Sequence, residues 1–133
     1  MINNELGPSL ERYVQAALGR KAIELVLLDV RKVTDVADVF MICSGRSNRQ
    51  VTAIAEHIER DLRKKKIKPL SVEGVKEGHW ALLDYGDVVI HIFYEPIREF
   101  YDIEGLWADA ERIDVDTVVD TKSPRETPES SNG

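Results

Sequence analysis

Asp38-Val39-Phe40-Met41-Ile42-Cys43-Ser44-Gly45-Arg46-Ser47-Asn48-Arg49-Gln50 is the stretch whose reading decides the fold. From Asp38 to Cys43 it is β-prone and apolar on both faces, the pattern of a central strand covered on two sides. Then the period changes. Val51, Ile54, Ala55, Ile58 and Leu62 fall on one face of a helix running from about 47 to 66. Ser47 and Gln50 have capping-box spacing, in which each side chain satisfies an orphan backbone N–H, together worth about 1 kcal/mol. Lys64, Lys65 and Lys66 sit where the helix dipole favours cations, and Pro69 forbids continuation.

Upstream, Leu10, Val14, Ala17 and Leu18 recur at helical spacing, which predicts a helix over residues 8–22 with Pro8 near its start. The apolar run Leu25 to Val30 predicts a strand. Downstream, strands are expected at Leu70–Val75, His79–Tyr85 and Val88–Tyr94, the last two joined by Tyr85-Gly86-Asp87 as an antiparallel hairpin. Pro96 opens a helical stretch to roughly Ala110, with Gly105 weakening it and Asp102 able to cap a second short turn. From Asp114 the chain is rich in Ser, Thr, Pro and charge, the composition of a disordered tail. The order α-β-β-α-β-β-β-α describes an α/β single-domain mixed-sheet sandwich over residues 1–113, followed by a disordered C-terminal tail over 114–133.

Of 133 residues, 43% are hydrophobic and 32% charged, enough apolar material for one core. No apolar run approaches the roughly 18 residues of a membrane span, and the N-terminus lacks a signal-peptide pattern. One cysteine, Cys43, can form neither an internal disulfide nor a cysteine-rich zinc site. A cytoplasmic protein held together by packing is the simplest expectation. The charge is uneven: residues 46–68 carry eight Lys and Arg against three Asp and Glu, whereas residues 69–133 carry five against fifteen. An acidic C-terminal half would repel nucleic-acid phosphates and suits a basic protein partner.

Catalytic motifs are sparse. No phosphate-binding glycine loop, dinucleotide fingerprint or H-E-x-x-H is present, and His57, His79 and His91 are scattered. His91, in mid-strand, reads as a packed, hydrogen-bonded residue, and Cys43 as a small hydrophobe. Ser44-Gly45 lies after a strand and before a helix, where nucleotidyltransferase folds place a turn that holds triphosphate. Such transfer needs two carboxylates for paired metal ions. The nearest candidates, Glu59 and Asp61, belong to the basic helix, so neither metal, cofactor nor catalytic residue is implied.

The hairpin is more telling. Alternation places Trp80, Leu82 and Asp84 on one face, and Ala81, Leu83 and Tyr85 on the other. An unpaired carboxylate beside Trp80 is awkward as core but suits an interface, where an aromatic anchor sits beside a charge. The structural alternative packs Trp80 under a helix and leaves Asp84 to end the strand. Sequence keeps both open.

From about Leu10 to Asp109 the chain resembles the ribosomal silencing factor family (RsfS, or Iojap). The resemblance is carried by Asp38-Val39-Phe40 through Gln50, Pro69-Leu70 with Glu73-Gly74, and Trp80 with Leu83 to Val89 and His91. It continues in Arg98-Glu99-Phe100-Tyr101-Asp102 with Glu104 and Leu106-Trp107. The order and spacing of these motifs are specific, although each alone is weak. Two departures are Val39, where the family commonly has an aromatic, and Gly105, where a charge is usual.

The resemblance implies a nucleotidyltransferase-like fold without the catalytic carboxylates. It also implies a translational repressor that binds the large ribosomal subunit through large-subunit ribosomal protein fourteen and blocks association with the small subunit. Trp80 and Leu82 would then be buried in the partner, Asp84 would meet a cation, and Tyr85 and Gly86 would shape the hairpin tip. Fully burying a Trp removes about 150–250 Å² from water, some 4–6 kcal/mol as an upper bound. Lys64, Lys65 and Lys66 could add a minor rRNA contact, and the apolar hairpin face could pair with a second copy as a homodimer when free. The rival reading is an RNA-binding module using the basic helix 46–68, which would need base-stacking aromatics that this segment lacks.

Overall fold

Strand β2 (Val39–Gly45) lies at the centre, and all seven of its residues are buried. It pairs in parallel with β5 (Val88–Tyr94) and antiparallel with β1 (Ile23–Asp29). The computed structural model describes the backbone of residues 3–118 and side chains from Ser9 onward. The remaining strands are β3 (Ser71–Glu73), β4 (Trp80–Asp84) and β6 (Glu111–Ile113). They complete a six-stranded mixed sheet in the order β3-β4-β5-β2-β1-β6.

Strict alternation along these strands builds two cores. Val39, Met41, Cys43, Ala81, Leu83, Ile90 and Ile92 point to the side covered by helices α1 (Asn3–Leu18) and α2 (Asn48–Lys64). Phe40, Ile42, Val89 and Phe93 point to the other side, which is partly covered by α3 (Glu95–Tyr101) and α4 (Ile103–Leu106). The expected α/β mixed-sheet sandwich is the fold observed.

Helix α2 keeps the ends its sequence announces. The Ser47 hydroxyl accepts from the Gln50 N–H at 3.1 Å, but Gln50 Oε1 accepts from the Arg46 N–H at 2.7 Å rather than from Ser47. The exit closes with Lys66 left-handed at φ 66°, Lys66 N–H donating to the Arg63 carbonyl at 2.8 Å and Ile67 N–H to that of Leu62 at 2.9 Å. This is a Schellman motif with lysine where glycine is usual.

Three boundaries differ from expectation. Helix α1 ends at Leu18 instead of continuing to 22, and the edge strand β3 is only three residues long. The expected helix through Ala110 is two short helices. They break at Asp102, which is left-handed (φ 46°), rather than at Gly105, and the Asp102 carboxylate accepts from Gly105 N–H at 3.2 Å to start α4. The expected tail boundary also moves. Beyond β6, helix α5 (Val115–Val118) buries Val118 against the α1 side of the core. Residues 119–133, the rest of the expected tail, lie outside the described residues.

Candidate functional site

On the α3 side of the sheet the helical cover stops short of β4. Trp80 and Leu82 are only partly buried there, while Ala81 and Leu83 on the opposite face are fully enclosed. The Trp80 ring packs against Phe93 and Tyr101, with centroids 4.8 and 5.0 Å apart. Tyr101 is 53% exposed, Phe100 79% and Leu106 77%. Phe100 meets Tyr101 edge-on with centroids 5.1 Å apart, so the aromatics form one exposed cluster. Carboxylates border it, since Glu99 and Asp102 are exposed on the same short helix and its cap.

His91 holds the Trp80 ring from within strand β5. The Trp80 indole Nε1–H donates to His91 Nδ1 at 3.2 Å, so the proton of a neutral His91 resides on Nε2. Stacked with Phe93 and edge-on to Phe40, His91 is a packed strand histidine as expected. Burial pushes its pKa down to about 4.

Asp84 and Gly86 have local duties. Asp84 Oδ1 accepts from Gly86 N–H at 2.8 Å, and Gly86 sits at φ 90°, a backbone region that L side chains rarely adopt. One carboxylate oxygen therefore shapes the turn. Tyr85 points the other way, to the helical face, with its ring 5.5 Å from Tyr13 of α1. Its hydroxyl is buried without a partner among the described residues, and burial raises its pKa. The structure thus unites Trp80, Leu82 and Asp84 on one face, sets Gly86 in the turn and places Tyr85 behind it.

Lys64, Lys65 and Lys66 lie at the far end of α2, where Lys65 pairs with Asp61 at 3.5 Å. The sites missed by sequence reasoning are Phe100, Tyr101 and Leu106. Phe100 and Tyr101 stand three and four residues after Ile97, the spacing of a core-facing stripe, so their pattern carries no sign of exposure.

Ser44 is committed elsewhere. Its hydroxyl is buried on the α3 side and accepts from Arg98 Nη1 at 2.7 Å. The same guanidinium grips Glu104 with both remaining arms, at 2.9 and 3.0 Å. These hydrogen bonds hold the Glu104 carboxyl below the usual range. A serine turned away from α2 into a closed ion-pair network cannot grip a phosphate at the start of that helix. Cys43 is buried beside it, and burial pushes its thiol up to about 12, far from a reactive thiolate.

A family model described as "Ribosomal silencing factor during starvation" matches residues 3–133. The chain belongs to the ribosomal silencing factor family. Among similar proteins, a ribosomal silencing factor RsfS of Halalkalibacterium halodurans is 36% identical over 119 residues, covering 90% of this chain and 99% of that one. Another, from Bacillus subtilis, is 40% identical over 97 residues, covering 73% and 82% respectively. A crystal structure of a Bacillus halodurans protein superposes with a TM-score of 0.72 at 34% identity, covering 84% of this chain and 99% of that one. Membership of the silencing factor family gives this chain a ribosome-associated role in regulating translation.

Proposed function

We propose that the protein is a non-catalytic, cytoplasmic factor that binds the large ribosomal subunit through large-subunit ribosomal protein fourteen. It represses translation by standing in the way of the small subunit. The observation that carries this reading is the partly exposed aromatic cluster of Trp80, Tyr101 and Phe100, with carboxylates at its border and exposed Leu106 on the next helix. Apolar anchors with an acidic rim suit a basic ribosomal protein. Because Trp80 already packs against Phe93, it offers a partner less than the full 4–6 kcal/mol of a free Trp. Phe100 and Leu106, far more exposed, supply additional apolar area. One oxygen of Asp84, left over from its bond to Gly86, faces a cation of the partner. A second copy could cover the same face in the free protein, as a homodimer released on binding.

Co-sedimentation with separated large subunits, small subunits and assembled ribosomes tests the reading. Binding to large subunits is expected, with fewer assembled ribosomes when the protein is added first. Binding confined to small subunits, or to none, would sink it. The RNA-binding reading of helix 46–68 would instead show as a loss of binding confined to a variant neutralised at Lys64, Lys65 and Lys66.

A further inference from the structure

A cavity of about 360 Å³ opens between the end of α1 and the first turn of α2, on the helical side of the sheet. Arg20 and Lys21 line it from the α1 exit, and Arg49, with Ser47, Gln50 and Ala53, from α2. Arg46 precedes the same turn. No lining residue is acidic.

The four cations are exposed, and none has a carboxylate within ion-pair distance among the described residues. Elsewhere some cations are paired and others, such as Arg60, Arg63 and Lys64, have no ion pair among the described residues. Arg31 pairs with Asp29, Lys65 with Asp61, and Arg98 and Arg112 with Glu104. Three cations of like sign, Arg20, Lys21 and Arg49, brought from two elements to one cavity and left uncompensated, repel one another and favour an anion between them.

We infer that this cavity is a phosphate-contact site for the RNA backbone, and that it touches ribosomal RNA from the helical side of the sheet, at the end of the molecule where the protein-binding strand β4 begins. This rests on the large-subunit reading above. Its place supports it: the Asn48 side chain, beside Arg49, donates to the Gly78 carbonyl at 2.9 Å, two residues before Trp80. The cavity mouth and the start of the anchor strand therefore lie at the same end of the molecule. The site reads phosphates, not bases, because no aromatic side chain lines it for stacking. Lys65 stands sixteen residues further along α2, about 24 Å away at 1.5 Å per residue, so the lysine cluster is a separate patch.

The test compares full-length wild type with Arg20→Gln/Lys21→Gln/Arg49→Gln, with Arg49→Gln alone, and with Lys64→Gln/Lys65→Gln/Lys66→Gln. Purified large subunits are titrated at several salt concentrations between about 50 and 200 mM. In parallel, isolated large-subunit ribosomal protein fourteen is titrated as an RNA-free partner. The cavity triple variant should bind subunits about tenfold more weakly at low salt. Its log–log salt slope should be shallower by about 3, roughly one unit per lost phosphate contact, with affinity for the isolated protein unchanged. Arg49→Gln alone should give about a third of that change in slope. An unchanged slope in wild-type-like complexes, or an equal loss in the lysine variant, would overturn the cavity site and leave the protein interface standing. Failure of wild type to bind large subunits would overturn both.

Discussion

The two faces of the sheet are made by the same strands, yet they differ in completeness. The face under α1 and α2 is aliphatic and sealed: Met41, Cys43, Ile54, Ile58, Leu62, Ile90 and Ile92 have no measurable exposure. The face toward α3 is aromatic, carries a buried histidine and an arginine network, and stops short of covering Trp80 and Leu82. One face is finished by the chain itself. The other is left partly open.

Breaking the sealed face should have the largest effect. Ile90→Ala leaves a cavity between β5 and the helices and should cost about 3 kcal/mol of stability, read by urea denaturation. Folded Ile90→Ala should keep its affinity for the large subunit, because its side chain faces away from the aromatic cluster. A matched loss of affinity would show that the two faces are not independent.

The open face should be the one sensitive to acid. Folding lowers the His91 pKa from 6.5 to about 4, so the unfolded chain binds the extra proton. Stability from neutral His91 is complete above pH 6.5 and drains away as pH falls toward 4, by up to about 3 kcal/mol over that window. Denaturation of wild type and His91→Gln at pH 7.5 and 5 should show the wild type losing more. Parallel losses would place the acid sensitivity elsewhere.

Trp80→Ala sharpens the comparison from the other side. It should lower affinity for the large subunit by at least about 2 kcal/mol while lowering stability less, since Trp80 is only partly buried. Binding titration beside thermal melting decides it. If affinity falls only in step with stability, Trp80 belongs to the core. The smallest effect is expected away from both faces: Lys66→Gly relieves the left-handed residue and should stabilise by less than about 1 kcal/mol, without altering binding.

Much of the fold was legible because burial on both sides of a strand leaves a plain mark. Val39 to Cys43 had to be central, and the period change after Ser47 had to be a helix. The end of the domain was not legible. Val115 and Val118 are two apolar residues in a polar segment, too few to signal a helix, and only the groove beside α1 makes their burial worthwhile. The break at Asp102 was half legible: its capping capacity could be read, but its left-handed backbone could not.

Sequence by itself determined which side chains share a face, because alternation in β4 and β5 is a local property of extended chain. It therefore placed Trp80, Leu82 and Asp84 together and Tyr85 opposite. Whether a face is covered is not local. It depends on where α3 and α4 come to rest, and that is set by the Arg98 bonds to Ser44 and Glu104, groups 54 and six residues away along the chain. Those contacts bury Arg98 and turn Phe100 and Leu106 outward, so tertiary structure alone decided that this face is unfinished.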